Sequence, residues 1–178
     1  LYPEDASSAS EVLRHADSPM SAVKRSGRGQ VRRYQSEYDA QTERFQLLAR
    51  ELAQAFYDGQ GFSLAYQPIY DLASGTPVKV EALLRWRHPL LGQISPGKFI
   101  PVAERTGQIA QIGLWVLSEA CRAAQAWPQV RLSVNVSAVQ LGRADFAAQV
   151  LAVLERSGLP PGRLELELIN GADSFRRL

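Results

Sequence analysis

Cysteine is nearly absent. Cys121 stands alone among 178 residues, so no internal disulfide can cross-link the chain. Histidine is as scarce. His15 and His88 are the only two, and they are not spaced as a metal-binding pair, so both read as structural. No apolar run approaches the roughly 18 residues of a membrane-spanning helix. Residues 1–20 carry Glu, Asp and Pro throughout, which is not the pattern of a signal peptide. The net charge is only +2, too little to suggest a general affinity for polyanions. The cytoplasm is the expected compartment, with any membrane anchoring of the parent protein left to regions outside this sequence. What remains is 46% hydrophobic and 21% charged, the balance of a soluble globular domain. The length suits one domain, or one and a part. Residue 1 is Leu, and "LINGADSFRRL" stops just after a strand pattern, so a fragment at both ends is expected.

Local patterns divide the chain into a tail, a helix and an alternating region. In "SASEVLRHADSPM", Ser10 can cap a helix whose face carries Val12, Leu13 and Ala16, and Pro19 ends or kinks it. Lys24, Arg25, Arg28, Arg32 and Arg33 follow in a glycine-containing stretch. Without interleaved aromatics it reads as a solvated loop rather than a phosphate-binding strip. From Ala40, the spacing of Phe45, Leu48, Leu52 and Phe56 predicts an amphipathic helix ended by Gly59 and Gly61. From Phe62 strands and helices alternate. "FSLAYQPIYDL", "VKVEALLRW", "VRLSVNVS" and "RLELELI" read as strands. "SPGKFIPVAERTG" opens a helix with Ser95 as cap and Pro96 in the first turn. "IAQIGLWVLSEACRAAQAW" is a long amphipathic helix. Ser137 and Gln140 fit a capping box for one more helix, burying Phe146, Val150, Val153 and Leu154. Such units with short connections predict a parallel α/β sheet, of which a barrel is one form. Trp86, Trp115 and Trp127 read as packing residues.

One carboxylate is out of place. Glu81 sits inside "PVKVEALLRWRHP", among Val78, Val80, Ala82, Leu83 and Leu84. A buried carboxylate neutralises or finds a partner, here a cation or a base such as Arg85. The later strands repeat the motif with Asn135, Glu165 and Glu167 toward their C-terminal parts. That is the end at which a (β/α) barrel builds its active site. Oxygen donors suit magnesium, manganese or calcium rather than zinc. Asn135 could instead bond a loop backbone, and one of Glu165 and Glu167 could be structural.

Several motifs in order carry a resemblance: "YQPIYDLASG", "EALLRW", "HPLLGQISPGKFIPVAERTGQI", "IGLWVLSEAC", "LSVNVSAVQL" and "LELEL". Residues 62–178 resemble the N-terminal half of an EAL domain, a bacterial cyclic-di-GMP phosphodiesterase named for the triplet matched here by Glu81-Ala82-Leu83. Residues 1–35, with "LYPEDASSASEVLRHAD" and "AVKRSGR", resemble the C-terminal tail of a GGDEF domain, and residues 36–61 are then a linker helix. The fold class expected is α/β, an incomplete TIM-like barrel preceded by a helical linker and a GGDEF remnant in a tandem GGDEF–EAL protein. Half a barrel leaves an open edge, which would expose apolar strands such as "LSVNV".

The resemblance implies a TIM-like barrel with one strand reversed, which hydrolyses cyclic-di-GMP to linear pGpG with two magnesium or manganese ions. It puts Glu81, Asn135 and Glu167 at metal-ligand positions, with Glu81 as the catalytic position of this segment. Arg85 falls at a phosphate-contacting position and Gln67 at a nucleotide-contacting one. It implies cyclic-di-GMP as ligand, a possible homodimer through the EAL domain, and no nucleic-acid polymer as partner. Four residues depart from the family patterns. Ile169 and Asn170 replace a threonine and a glutamate after Glu167, and Pro19 and Ser21 replace an alanine and a tyrosine in the tail. The family's paired aspartates, lysine and later glutamate fall beyond Leu178, so the segment alone is expected to be inactive. The alternative is a degenerate EAL domain that senses cyclic-di-GMP or a protein without turnover.

Overall fold

The computed structural model describes residues 36–169 together with Ser8, Ser10 and Leu13. The chain divides into two compact units, Leu1–Arg50 and Glu51–Leu178. In the first, Ser10 is helical rather than a cap, and Leu13 is helical but exposed. The basic stretch, Pro19, Ser21 and the rest of the GGDEF-like tail fall outside the described residues.

Helix α1 spans Ser36–Tyr57, starting ahead of the apolar repeat that announces it. Leu52 is completely buried, and Phe45, Leu48 and Phe56 are half-buried on the same stripe, as their spacing predicts. The helix unwinds through Gly59 and Gly61, both at positive φ. Gly61 is constrained twice. A Cβ there would stand 2.6 Å from the Arg87 carbonyl, and its own carbonyl accepts from Arg87 N–H at 2.8 Å. The chain can therefore enter the sheet only with glycine at this point.

Strand β1 (Phe62–Tyr70) pairs antiparallel with β2 (Pro77–His88). Asp71 shapes the turn between them by accepting from the N–H groups of Ala73 and Ser74 and from the Ser74 hydroxyl. A hairpin then returns β3 (Gly92–Ile94) along the end of β2. His88 builds that bend: its Nδ1 accepts from the N–H groups of Leu90 and Leu91. Its Nε2–H donates to Glu51 Oε2 at 3.1 Å. The ring is buried and structural, as the sequence suggests.

Helix α2 (Pro96–Thr106) starts on Pro96. Ser95 stands at the cap position in extended conformation, but its side chain makes no capping bond. Gly107 ends α2 in the left-handed region, and α3 (Ile109–Ala123) follows, tightening into a 3-10 turn at Ala124–Ala126. Strand β4 (Arg131–Ser137) lies parallel to β2. The Ser137–Gln140 capping box forms with both of its bonds. It starts only the single-turn helix α4 (Ala138–Leu141), not the continuous helix expected. Arg143 pairs with Asp145 at 2.9 Å and Phe146 N–H bonds back to the Arg143 carbonyl, so α5 (Phe146–Ser157) starts afresh. On α5 Phe146, Val153 and Leu154 are buried, while Val150 is half-buried. A 3-10 turn at Pro161–Arg163 leads into β5 (Leu164–Ile169), parallel to β4.

The sheet order is β1-β2-β4-β5, with β3 attached to β2. It is mixed rather than all-parallel, because β1 runs against β2. Paired residues share a face, and the pleat alternates faces along each strand. One face carries Val80, Ala82, Trp86, Leu132, Val134 and Val136, all buried. Helices α2 and α3 lie against β2 and β4, and α5 packs on α3. Trp86 stacks on Phe62 at 5.8 Å and meets Phe99 edge-on at 5.5 Å. Trp115 and Trp127 join the same packing against Phe62 and Tyr66. "LSVNV" is not the exposed strand: β4 is flanked by β2 and β5. Exposure falls instead on β5, where Leu166 and Leu168 are open at 39% and 52%. Among the described residues no helix is long and apolar enough to cross a membrane.

Candidate functional site

The opposite face of the sheet is polar. Register puts Gln67 opposite Glu81, Glu81 beside Ser133, Ser133 beside Glu165, and Asn135 beside Glu167. Lys79, two residues before Glu81, takes the same side. These side chains gather on four neighbouring strands, and 88 positions of sequence separate Lys79 from the Glu167 it bonds.

Glu81 is half-buried, and its partner is Asn135, whose Nδ2 donates to Oε1 at 2.6 Å. Arg85, the base weighed from the sequence, does not take that role. Its Nη1 donates to the neighbouring Leu84 carbonyl at 3.3 Å, and it makes no ion pair among the described residues. Gln67 is exposed on β1.

Glu167 is held differently. Ser133 Oγ donates to its Oε1 at 2.5 Å, and Lys79 Nζ reaches the same oxygen at 3.0 Å. Lys79 also bonds Glu165 Oε1 at 3.0 Å, and Arg131 Nη1 stands 3.9 Å from Glu165 Oε2. The Ser133 hydroxyl, and after it Lys79, hold the Glu167 carboxyl below the usual carboxylate range against the opposing effect of burial. The bonds to Glu165 and Glu167 raise Lys79 above its ordinary value. Neither Lys79 nor Ser133 stands out in the sequence. The available signal was alternation, which puts Lys79 on the side of Glu81 and Ser133 on the side of Asn135.

The donor set fits a hard divalent cation. Glu81 Oε2, Asn135 Oδ1 and Glu167 Oε2 have no hydrogen-bond partner among the described residues, since each bond just described uses the other polar atom of its group. All three are oxygens of the kind magnesium and manganese prefer. They do not close a coordination shell unaided: among the described residues no three His, Cys, Asp or Glu side chains converge as a metal site. Beside them a cavity of about 50 Å³ is lined by Leu83, Ile112, Asn135, Gln140 and Ile169, among others. Ile169 therefore presents an alkyl group next to Asn135. Asn170 falls outside the described residues.

The profile of the EAL domain family matches residues 49–176. The chain belongs to the EAL domain family. The match begins inside α1, ahead of the strand–helix alternation. An uncharacterized signaling protein of Caulobacter vibrioides is 40% identical over all of the chain and 23% of its own length. The bifunctional diguanylate cyclase/cyclic di-GMP phosphodiesterase MucR of Pseudomonas aeruginosa is 39% identical over 94% of the chain and 25% of its own length. The chain thus spans about a quarter of these curated relatives. Among solved structures, the PaMucR phosphodiesterase in complex with c-di-GMP is 40% identical, with a TM-score of 0.66 over 74% of this chain and 55% of that one. The EAL domain of FimX from Pseudomonas aeruginosa bound to c-di-GMP is 25% identical, with a TM-score of 0.61 over 68% and 49%. This EAL domain shares with them a mixed α/β, TIM-barrel-like fold.

Proposed function

We propose that this EAL domain contributes part of the active site of a phosphodiesterase that opens cyclic-di-GMP to linear pGpG. The observation that carries the reading is the coupling of Glu81 to Asn135, with one oxygen of each left unbonded beside Glu167. The match to a phosphodiesterase solved with c-di-GMP supports the choice of substrate. Glu81, Asn135 and Glu167 would hold magnesium or manganese, which when bound polarises the phosphate and generates hydroxide near neutral pH. The protein's own residues do the rest. Asn135 fixes the Glu81 carboxylate through Oε1. Arg85, with no ion pair among the described residues, offers its guanidinium to a phosphate oxygen. Gln67, exposed opposite Glu81, offers an amide to the nucleotide.

The wider organisation belongs to the same proposal: a GGDEF-like tail over residues 1–35, a linker helix over 36–61, and the first part of an EAL barrel over 62–178. The 94% coverage by a relative named as both cyclase and phosphodiesterase supports it. A second reading, a sensor that binds the nucleotide without turnover, draws on Ile169, whose alkyl group lines the cavity beside Asn135. One experiment separates the two. In the full-length protein, pGpG release is followed with manganese and cyclic-di-GMP for wild type, Glu81→Ala and Arg85→Ala. Hydrolysis should fall about a hundred- to thousandfold in Glu81→Ala. In Arg85→Ala the nucleotide should bind more weakly while manganese binding survives. A wild type that binds the nucleotide and never cleaves it selects the sensor. Undiminished turnover in Glu81→Ala rejects the metal-ligand assignment.

A further inference from the structure

Two donors of different electrostatic character meet on one oxygen of Glu167. Ser133 Oγ is neutral, and Lys79 Nζ carries a full positive charge. The lysine side chain is only 18% exposed and lies between two carboxylates, Glu165 and Glu167. It therefore supplies positive charge to the carboxylate that the metal-site reading assigns to a divalent ion. An ammonium and a divalent cation sharing one carboxylate repel each other, and partial burial keeps that repulsion from being fully screened. A hydroxyl on the same oxygen adds no such repulsion. It only orients the carboxylate, as outer hydrogen bonds do at metal centres.

Resting on that reading, we propose that Lys79 is a built-in competitor of the divalent cation and raises the free-metal concentration the site requires. Ser133 is the neutral positioning residue for the same carboxylate. The lysine neutralises the Glu165–Glu167 pair when no metal is bound, and the metal must displace or tolerate it. The two residues act on one atom, yet their removal should shift metal affinity in opposite directions. A pair that served only to hold the strands together would not do this.

The test is manganese titration by calorimetry on the full-length protein, with the manganese-induced rise in Tm as a second readout. The variants are Lys79→Met, Lys79→Arg, Ser133→Ala and Glu81→Ala, each checked for folding by circular dichroism. Lys79→Met should bind manganese about tenfold more tightly and show the larger rise in Tm. Lys79→Arg keeps the charge and should stay near wild type. Ser133→Ala should bind about 10- to 100-fold more weakly. A wild type that binds no manganese, together with a Lys79→Met that does, also supports the proposal. Binding lost in Glu81→Ala but unchanged or weakened in Lys79→Met overturns the proposal and leaves the phosphodiesterase reading standing. No binding in either wild type or Lys79→Met overturns both.

Discussion

The two faces of the central sheet are held by different physics. The helix-covered face is packed by volume: Trp86, Phe99, Ile112, Leu117, Leu132 and Val134 are at most 1% exposed. The polar face is held by a few directed bonds, Asn135 to Glu81, Ser133 to Glu167, and Lys79 to two glutamates. The first arrangement sets stability, because deleted atoms leave cavities in a close-packed interior. The second places the candidate ligands, and partly exposed charge pairs of this kind contribute little to folding. Strands β2 and β4 carry both faces, and alternation keeps them apart.

Substitutions on each face can break or sharpen this contrast. Trp86→Ala should have the largest effect, since the indole is wholly buried against Phe62 and Phe99. Urea unfolding should show a loss of about 3–5 kcal/mol. A loss below about 1 kcal/mol would remove the packed face as the source of stability. Gly113→Ala comes next. A Cβ on Gly113 would stand 1.8 Å from Gln140 Nε2 and 2.6 Å from its Cδ, so the buried side chain must leave its capping box. The expected cost is about 1–3 kcal/mol. Adding Gln140→Ala should cost little more, because both changes break the same contact.

On the polar face Glu81→Gln should leave the unfolding midpoint nearly unmoved, within about 0.5 kcal/mol, while divalent binding falls. Equal losses of stability and binding would mean that the two faces are not separable. The smallest effect concerns Cys121 on α3, which is fully buried. Burial pushes its thiol from 9.0 up to about 11. The folded state therefore keeps the proton that the unfolded chain loses first. The contribution of this group to stability should be constant below about pH 9 and shrink as pH rises toward 11. A thiol reagent at pH 8 should label Cys121 only after urea is added, and rapid labelling of the folded chain would contradict its burial.

Most of the fold was legible in the sequence because its signals are local. Pro96 opens α2, Gly59 and Gly61 end α1, and Ser137 with Gln140 announces a capping box. Each works within a few residues, so no distant partner is needed to recognise it. Local signals mislead where they compete. The capping box starts a helix that the Arg143–Asp145 pair then interrupts, and spacing alone did not show which would prevail. The β3 hairpin was missed because the residues that bend it, His88, Leu90 and Leu91, do so through one ring nitrogen.

By itself the sequence determined which residues could be ligands. A carboxylate inside "VEALLRW", an amide inside "LSVNVS" and two glutamates in "LELEL" are statements about residue type and period. Only the tertiary structure decided how they are joined. Alternation places a side chain on a face, but strand order and register choose its neighbour. Those depend on how the helices pack, with β2 beside β4 and β4 beside β5. Hence Glu81 meets Asn135 rather than Arg85, and Lys79 becomes the cation shared by Glu165 and Glu167. The cation that bonds both glutamates lies on a residue that carries no motif, because a salt bridge between strands forms only once their register is fixed.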